Sequence, residues 1–151
     1  MKTQNKLTNS IVIDENWYII ITKNILLVDD EPDITFTLKD SLEYNAGLKV
    51  DTFTDPTVAL KSYKINFYDL VILDIKMPKI DGFQLYTKIK EKDSKVKICF
   101  LTTTEIYYEK FRKLRTGLGK TIDEYYFIQK PINIEDLIKK LTFIMNNKND
   151  E

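Results

Sequence analysis

Histidine is absent from this chain of 151 residues. Without an imidazole, the chain itself has no histidine general base, metal ligand or phosphoryl carrier, so any phosphohistidine chemistry must come from a partner. Cysteine occurs once, at Cys99, so no disulfide can form within the chain, a usage that fits a reducing compartment. Cys99 sits inside the apolar run Ile98 to Leu101 and reads as a small buried hydrophobe. An excess of one charge is also missing: Lys+Arg and Asp+Glu both count 23. That balance gives no global attraction to nucleic acid or to a membrane surface. Long apolar runs are lacking too. The longest near the N-terminus, Trp17 to Ile21, falls far short of the roughly 18 residues a membrane span needs. Asp14, Glu15 and Asn16 interrupt any signal-peptide layout, and the expected compartment is the cytoplasm.

What is present is a repeating pattern. With 43% hydrophobic and 30% charged residues, the chain suits one globular domain with a real core. Residues 1–22 read as an N-terminal extension, either disordered or supplying an added strand. From Asn24 onward strands and helices alternate, which predicts a parallel sheet covered by helices on both faces. Strands are predicted at about 24–29, 48–53, 69–74, 96–101 and 125–129. Helices are expected from Pro32 to Gly47 (with Ile34, Leu38 and Leu42 on the inward face), after Asp55-Pro56 (carrying Ala59, Leu60 and Tyr63), after Asp81-Gly82, over about 104–114, and after Asn133. The strands at 24–29, 69–74 and 96–101 carry continuous apolar runs and are expected to be buried on both faces, whereas strand 48–53 alternates and carries charge, so it is expected at an edge. Residues 23–148 form the expected domain, with 149–151 a frayed tail.

Four of the apolar runs end in polar residues of different kinds. Ile25 to Val28 leads into Asp29-Asp30, Leu70 to Leu73 into Asp74, Ile98 to Leu101 into Thr102, and Tyr125 to Ile128 into Gln129-Lys130-Pro131. In open α/β sheets, ligands bind outside the carboxyl ends of the strands, where strand order reverses. A strand order of 2-1-3-4-5 would put Asp29, Asp30 and Asp74 at that reversal. Three adjacent carboxylates repel unless a cation neutralises them, and Mg²⁺ suits hard oxygen ligands. One carboxylate could then act as nucleophile toward a phosphoryl group, with Lys130 and Thr102 contacting its oxygens.

On these residues the chain resembles the receiver domain of two-component response regulators. The resemblance is carried by Val28-Asp29-Asp30-Glu31-Pro32, Leu73 to Pro78, Asp81-Gly82, Leu101-Thr102 and Lys130-Pro131, in family order and spacing, over about 24–147. It implies a flavodoxin-like, doubly wound five-stranded sheet. It further implies that Asp74 is the phosphoacceptor and that Asp30 binds Mg²⁺ directly, Asp29 mainly through water. The Lys76 backbone carbonyl would complete the metal site. Thr102 would be the switch hydroxyl, Lys130 the phosphoryl partner and Phe127 the switch aromatic, turning inward on phosphorylation. The expected donor is a sensor histidine kinase or phosphotransfer protein. The expected output runs through a downstream protein, with neither nucleic acid nor membrane bound directly and self-association on activation left open. Because the chain ends soon after its last predicted helix, a stand-alone receiver is expected. Its role is either output or a place in a phosphorelay, as intermediate or phosphate sink.

Two positions depart from the family pattern. Thr103 stands where a small residue is usual, and Lys76 puts a cation at the site mouth; both predict slow loss of phosphate. Lys76 also argues against a Mg²⁺-dependent phosphohydrolase, which commonly has an acid/base carboxylate two residues after its nucleophile. Gly117 to Thr121 looks like the end of a P-loop, but position 114 is Leu114 rather than glycine and no apolar strand leads into it. Lys110, Arg112, Lys113, Arg115 and Lys120, with Tyr107, Tyr108 and Phe111 interleaved, read as a solvated helix face. Docking of an acidic partner is the functional alternative there.

Overall fold

Strands whose residues are apolar without interruption need cover on both faces, and the sheet supplies it. The computed structural model describes residues 11–13, 19–103 and 126–147. Ile11–Ile13 (β1) pairs antiparallel with Ile19–Ile21 (β2) in a two-stranded ladder of its own. The main sheet is built from Asn24–Val28 (β3), Lys49–Phe53 (β4), Leu70–Asp74 (β5), Lys97–Thr102 (β6) and Phe127–Gln129 (β7). All its pairings are parallel, in the order β4-β3-β5-β6-β7. Counted within this sheet alone, that is 2-1-3-4-5, as expected.

Every residue of β3 and β5 is buried, while β4, at the edge, carries exposed Lys49. Alternate residues divide between two core layers because side chains alternate across a strand. Leu26, Val28, Val71, Leu73 and Phe100 pack with helix Pro56–Ser62 (α2) and helix Gly82–Lys92 (α3) through Ala59, Leu85 and Ile89. Ile25, Leu27, Leu70, Ile72, Cys99 and Leu101 pack with helix Pro32–Ala46 (α1) and helix Ile134–Asn146 (α4) through Leu38, Leu42, Leu137, Leu141 and Ile144. Each such fully buried Leu or Ile contributes about 1.5–3 kcal/mol.

The helix ends follow local chemistry. Pro32 opens α1, and Gly47 closes it at φ 63°, a left-handed conformation that a side chain disfavours. Asp55 caps α2 by accepting from the Thr57 N–H, Asp81 and Gln84 form a reciprocal capping box on α3, and Asn133 accepts from the Asp136 N–H on α4. Lys97, at the start of β6, donates to Ile144 O at 2.8 Å and to Asn147 O, closing the far end of α4.

Three expectations need adjustment. The second helix stops at Ser62, because Tyr63 is extended and its hydroxyl donates to Asp93 Oδ2 at 3.0 Å. On α1, Thr35 is buried while Ile34, expected inward, is half-buried. Thr35 accommodates its burial by donating its hydroxyl to Pro32 O at 2.8 Å. The last strand is shorter than expected, since Tyr126 lies in a 3₁₀ turn and β7 begins at Phe127. The helix expected over 104–114, the P-loop-like Gly117 to Thr121 and the basic stretch 107–120 lie outside the described residues.

Candidate functional site

Parallel pairing brings the carboxyl ends of β3, β5, β6 and β7 to one edge, and each delivers a polar residue there. Asp29 follows β3 directly. Its N–H donates to Phe53 O at 3.2 Å and its carboxylate accepts the Glu31 N–H at 3.0 Å, so the backbone on both sides holds it. Asp74 is the last residue of β5 and Thr102 the last of β6. Lys130 follows β7, separated from it by no residue, and its own N–H donates to Thr102 O at 2.8 Å. The Lys130–Pro131 peptide is cis.

The geometry is that of one ammonium among carboxylates. Lys130 Nζ lies 2.8 Å from Asp29 Oδ2, 3.3 Å from Asp74 Oδ1 and 3.6 Å from Glu31 Oε1. Asp29 is fully buried, Asp74 nearly so and Asp30 half-buried, and one oxygen from each lies within 4.8 Å of the others. Among the described residues, Asp29, Asp30 and Asp74 thus outnumber the one ammonium set among them. Burial first, then the Asp29 charge, pushes the Asp74 carboxyl up to about 7, with Lys130 opposing both. Burial alone would lower the Lys130 pKa, but its bond to Asp29 and the charges of Asp74 and Asp29 outweigh that and raise it.

Above this cluster opens a cavity of about 460 Å³, lined by Asp30, Glu31, Asp74, Thr102 and Lys130, with exposed Lys76 and Thr103 also on its wall. Phe127 is not among the lining residues. It is buried and stacked on Phe100, with ring centroids 5.2 Å apart and an interplanar angle of 24°. The structure thus gathers Asp29, Asp30, Asp74, Thr102, Lys76 and Lys130 at one place and sets Phe127 against the adjoining strand.

Two neighbours, both within the motifs that carry the resemblance, were given no site role by the sequence. Glu31 faces Lys130, and its signal was the third acidic position after β3. Gly82 is required by close approach: a Cβ there would lie 2.3 Å from Asp74 O and 2.9 Å from Ile75 Cα. Its N–H donates to Ile75 O at 2.8 Å, so α3 starts directly against the backbone that carries Asp74.

A family model described as the response regulator receiver domain matches residues 25–142. The chain belongs to the response regulator receiver family. Receivers of this family act as phosphoacceptors in two-component signalling and typically bind Mg²⁺ at an acidic pocket, and this chain carries a cluster of three aspartates. The receiver is 32% identical over 117 residues to the transcriptional regulatory protein TrcR of Mycobacterium tuberculosis, covering 78% of this chain and 43% of TrcR. It is 32% identical over 124 residues to the response regulator ArlR of Staphylococcus aureus, covering 82% of this chain and 53% of ArlR. A segment of the sensor protein EvgS of Escherichia coli is 37% identical over 96 residues, 64% of this chain and 8% of EvgS. The receiver therefore spans about half or less of these curated relatives. Among solved structures, the non-phosphorylated HemR receiver domain of Leptospira biflexa is similar with a TM-score of 0.71 and 29% identity, covering 85% of this chain and 98% of that one. The response regulator TrrA of Thermotoga maritima, solved in complex with Mg²⁺-BeF, has a TM-score of 0.65 and 34% identity, covering 82% and 99%. Among the described residues, no helix is long and apolar enough to cross a membrane.

Proposed function

We propose that this receiver is a phosphorylation-controlled switch with Asp74 as the phosphoacceptor. The observation that carries the reading is the bridging of Asp29 and Asp74 by Lys130, at 2.8 and 3.3 Å, on the wall of a cavity that Asp30 and Thr102 share. An Asp74 oxygen attacks the phosphorus of a partner's phosphohistidine. The P–N bond breaks as the O–P bond forms, and the imidazole leaves with the partner. Lys130 meets one phosphoryl oxygen as a point charge, and the Thr102 hydroxyl donates to another. The donor set, three clustered carboxylates, suits a hard divalent cation. Asp29, Asp30, Asp74 and the Lys76 carbonyl would hold Mg²⁺, which supplies charge neutralisation as the phosphoryl group arrives. The chemistry stops at self-phosphorylation and autodephosphorylation, without turnover of a separate substrate.

In this reading Thr102 and Phe127 are the switch pair. Phosphorylation draws the Thr102 hydroxyl toward the new phosphoryl group and changes the face beside β7 and α4, where Phe127 already lies buried against Phe100 rather than waiting to turn inward. The working unit is residues 23–148, a cytoplasmic receiver served by a sensor histidine kinase or phosphotransfer protein and acting on a downstream protein. A relay role is the second reading, favoured by the match to a segment within a sensor protein. Incubation with Mg²⁺ and acetyl phosphate, followed by intact mass, tests the core claim. The wild-type chain should gain one phosphoryl group and Asp74→Asn none. Equal labelling of both, or of neither, would sink it.

A further inference from the structure

Side chains close the β4 edge of the main sheet. Among the described strands, β4 pairs only with β3. Backbone groups of alternate strand residues point to opposite sides. Lys49 N–H donates to Lys23 O at 2.9 Å and Phe53 O accepts from Asp29 N–H at 3.2 Å, so Lys49, Asp51 and Phe53 face inward. Val50 and Thr52 therefore present their N–H and C=O groups outward. Both outward groups of Val50 are taken by α1. Lys39 Nζ donates to Val50 O at 2.5 Å, and Val50 N–H donates to Glu43 Oε1 at 3.1 Å. One turn apart, Lys39 and Glu43 also pair with each other at 2.7 Å. Together they offer Val50 one donor and one acceptor, as the residue of a neighbouring strand would. At the opposite edge Lys140 of α4 likewise donates to Phe127 O at 2.8 Å.

An unpaired edge is a template for another strand, and long charged side chains are one way to block it. What they block here is self-complementary. Suppose two β4 strands met antiparallel about a two-fold axis at Val50. The two Val50 residues would exchange both backbone bonds, and Lys49 of each copy would lie opposite Asp51 of the other. Lys49 is exposed, and Asp51, 46% exposed, is held in place by the Tyr68 hydroxyl at 2.8 Å and Lys64 at 3.5 Å. Opposite charges would thus meet twice across the axis, favouring a second copy over an unrelated strand.

We propose that Lys39 and Glu43 form a latch over the β4 edge, and that the edge they close is a strand-pairing site for a second copy of this chain. Replacing both with alanine opens it. In sedimentation velocity, the double variant should self-associate at least tenfold more tightly than the wild-type chain. Adding Lys49→Glu, which sets like charges opposite each other, should reverse the gain. Amide exchange reads the latch itself. Val50 should exchange roughly tenfold faster in Glu43→Leu but stay protected in Glu43→Gln, which keeps an acceptor, while Lys49, bonded inward, stays protected in both. Association no tighter than wild type, indifference to Lys49→Glu, or equal Val50 exchange in both single variants would overturn the proposal.

Discussion

Asp74→Asn should stabilise the metal-free chain, and the gain should grow with pH. Burial and the Asp29 charge raise the Asp74 pKa from 3.8 to about 7 against the pull of Lys130. A carboxyl that holds its proton more tightly folded than unfolded contributes its full stability below pH 3.8. That contribution is lost as pH rises through about 7, because folding then confines a charge in a poor solvent for it. A gap of about three pH units is worth about 4 kcal/mol at its ceiling. Only 8% of the side chain is exposed, so solvent screening removes little of this. Asparagine keeps the shape and never ionises. The variant should match wild type near pH 4 and exceed it by about 2–4 kcal/mol at pH 8. For a chain of this size that is about 5–15 °C in Tm. Thermal melts in EDTA at pH 4, 6 and 8 measure it. A variant less stable than wild type at pH 8, or a gain of one size at every pH, would refute the reasoning. Mg²⁺ should shrink the difference, since a divalent cation favours the ionised aspartate and finds no charge on asparagine.

Lys130→Met should cost about 3 kcal/mol in EDTA at pH 8, because it leaves Asp29 and Asp74 buried without their cation. Mg²⁺ should restore most of that loss, and urea titrations showing the same deficit with and without Mg²⁺ would count against a shared cation site. Gly82→Ala should cost about 1–3 kcal/mol, since its Cβ meets backbone atoms that have no rotamer to yield. A neutral urea midpoint would mean that α3 can back away from Asp74 freely.

Much of the fold was legible because its signals are local. Continuous apolar runs marked β3, β5 and β6 as buried on both faces, and the charged alternation of Lys49 to Phe53 marked an edge. Pro32, Asp55, Asp81 and Asn133 marked helix starts through short-range capping chemistry. Misplaced boundaries came where a distant partner intervened. Tyr63 reads as one more helical residue, but a hydroxyl bond to Asp93, thirty residues away, draws it out of the helix.

The site divides in the same way. Strand-end aspartates, a threonine and a lysine before proline are all visible in the chain, and the alternation of strands and helices is enough to send them to one edge. Sequence alone therefore determined which chemical groups meet, since period and order decide which strand ends share a side. Only the tertiary structure decided how they share charge. That Lys130 leans closer to Asp29 than to Asp74, that Glu31 joins them, and that Gly82 must lack a side chain depend on distances across residues as many as 101 positions apart. Such distances are set by how two core layers pack against one sheet, and no local pattern encodes them.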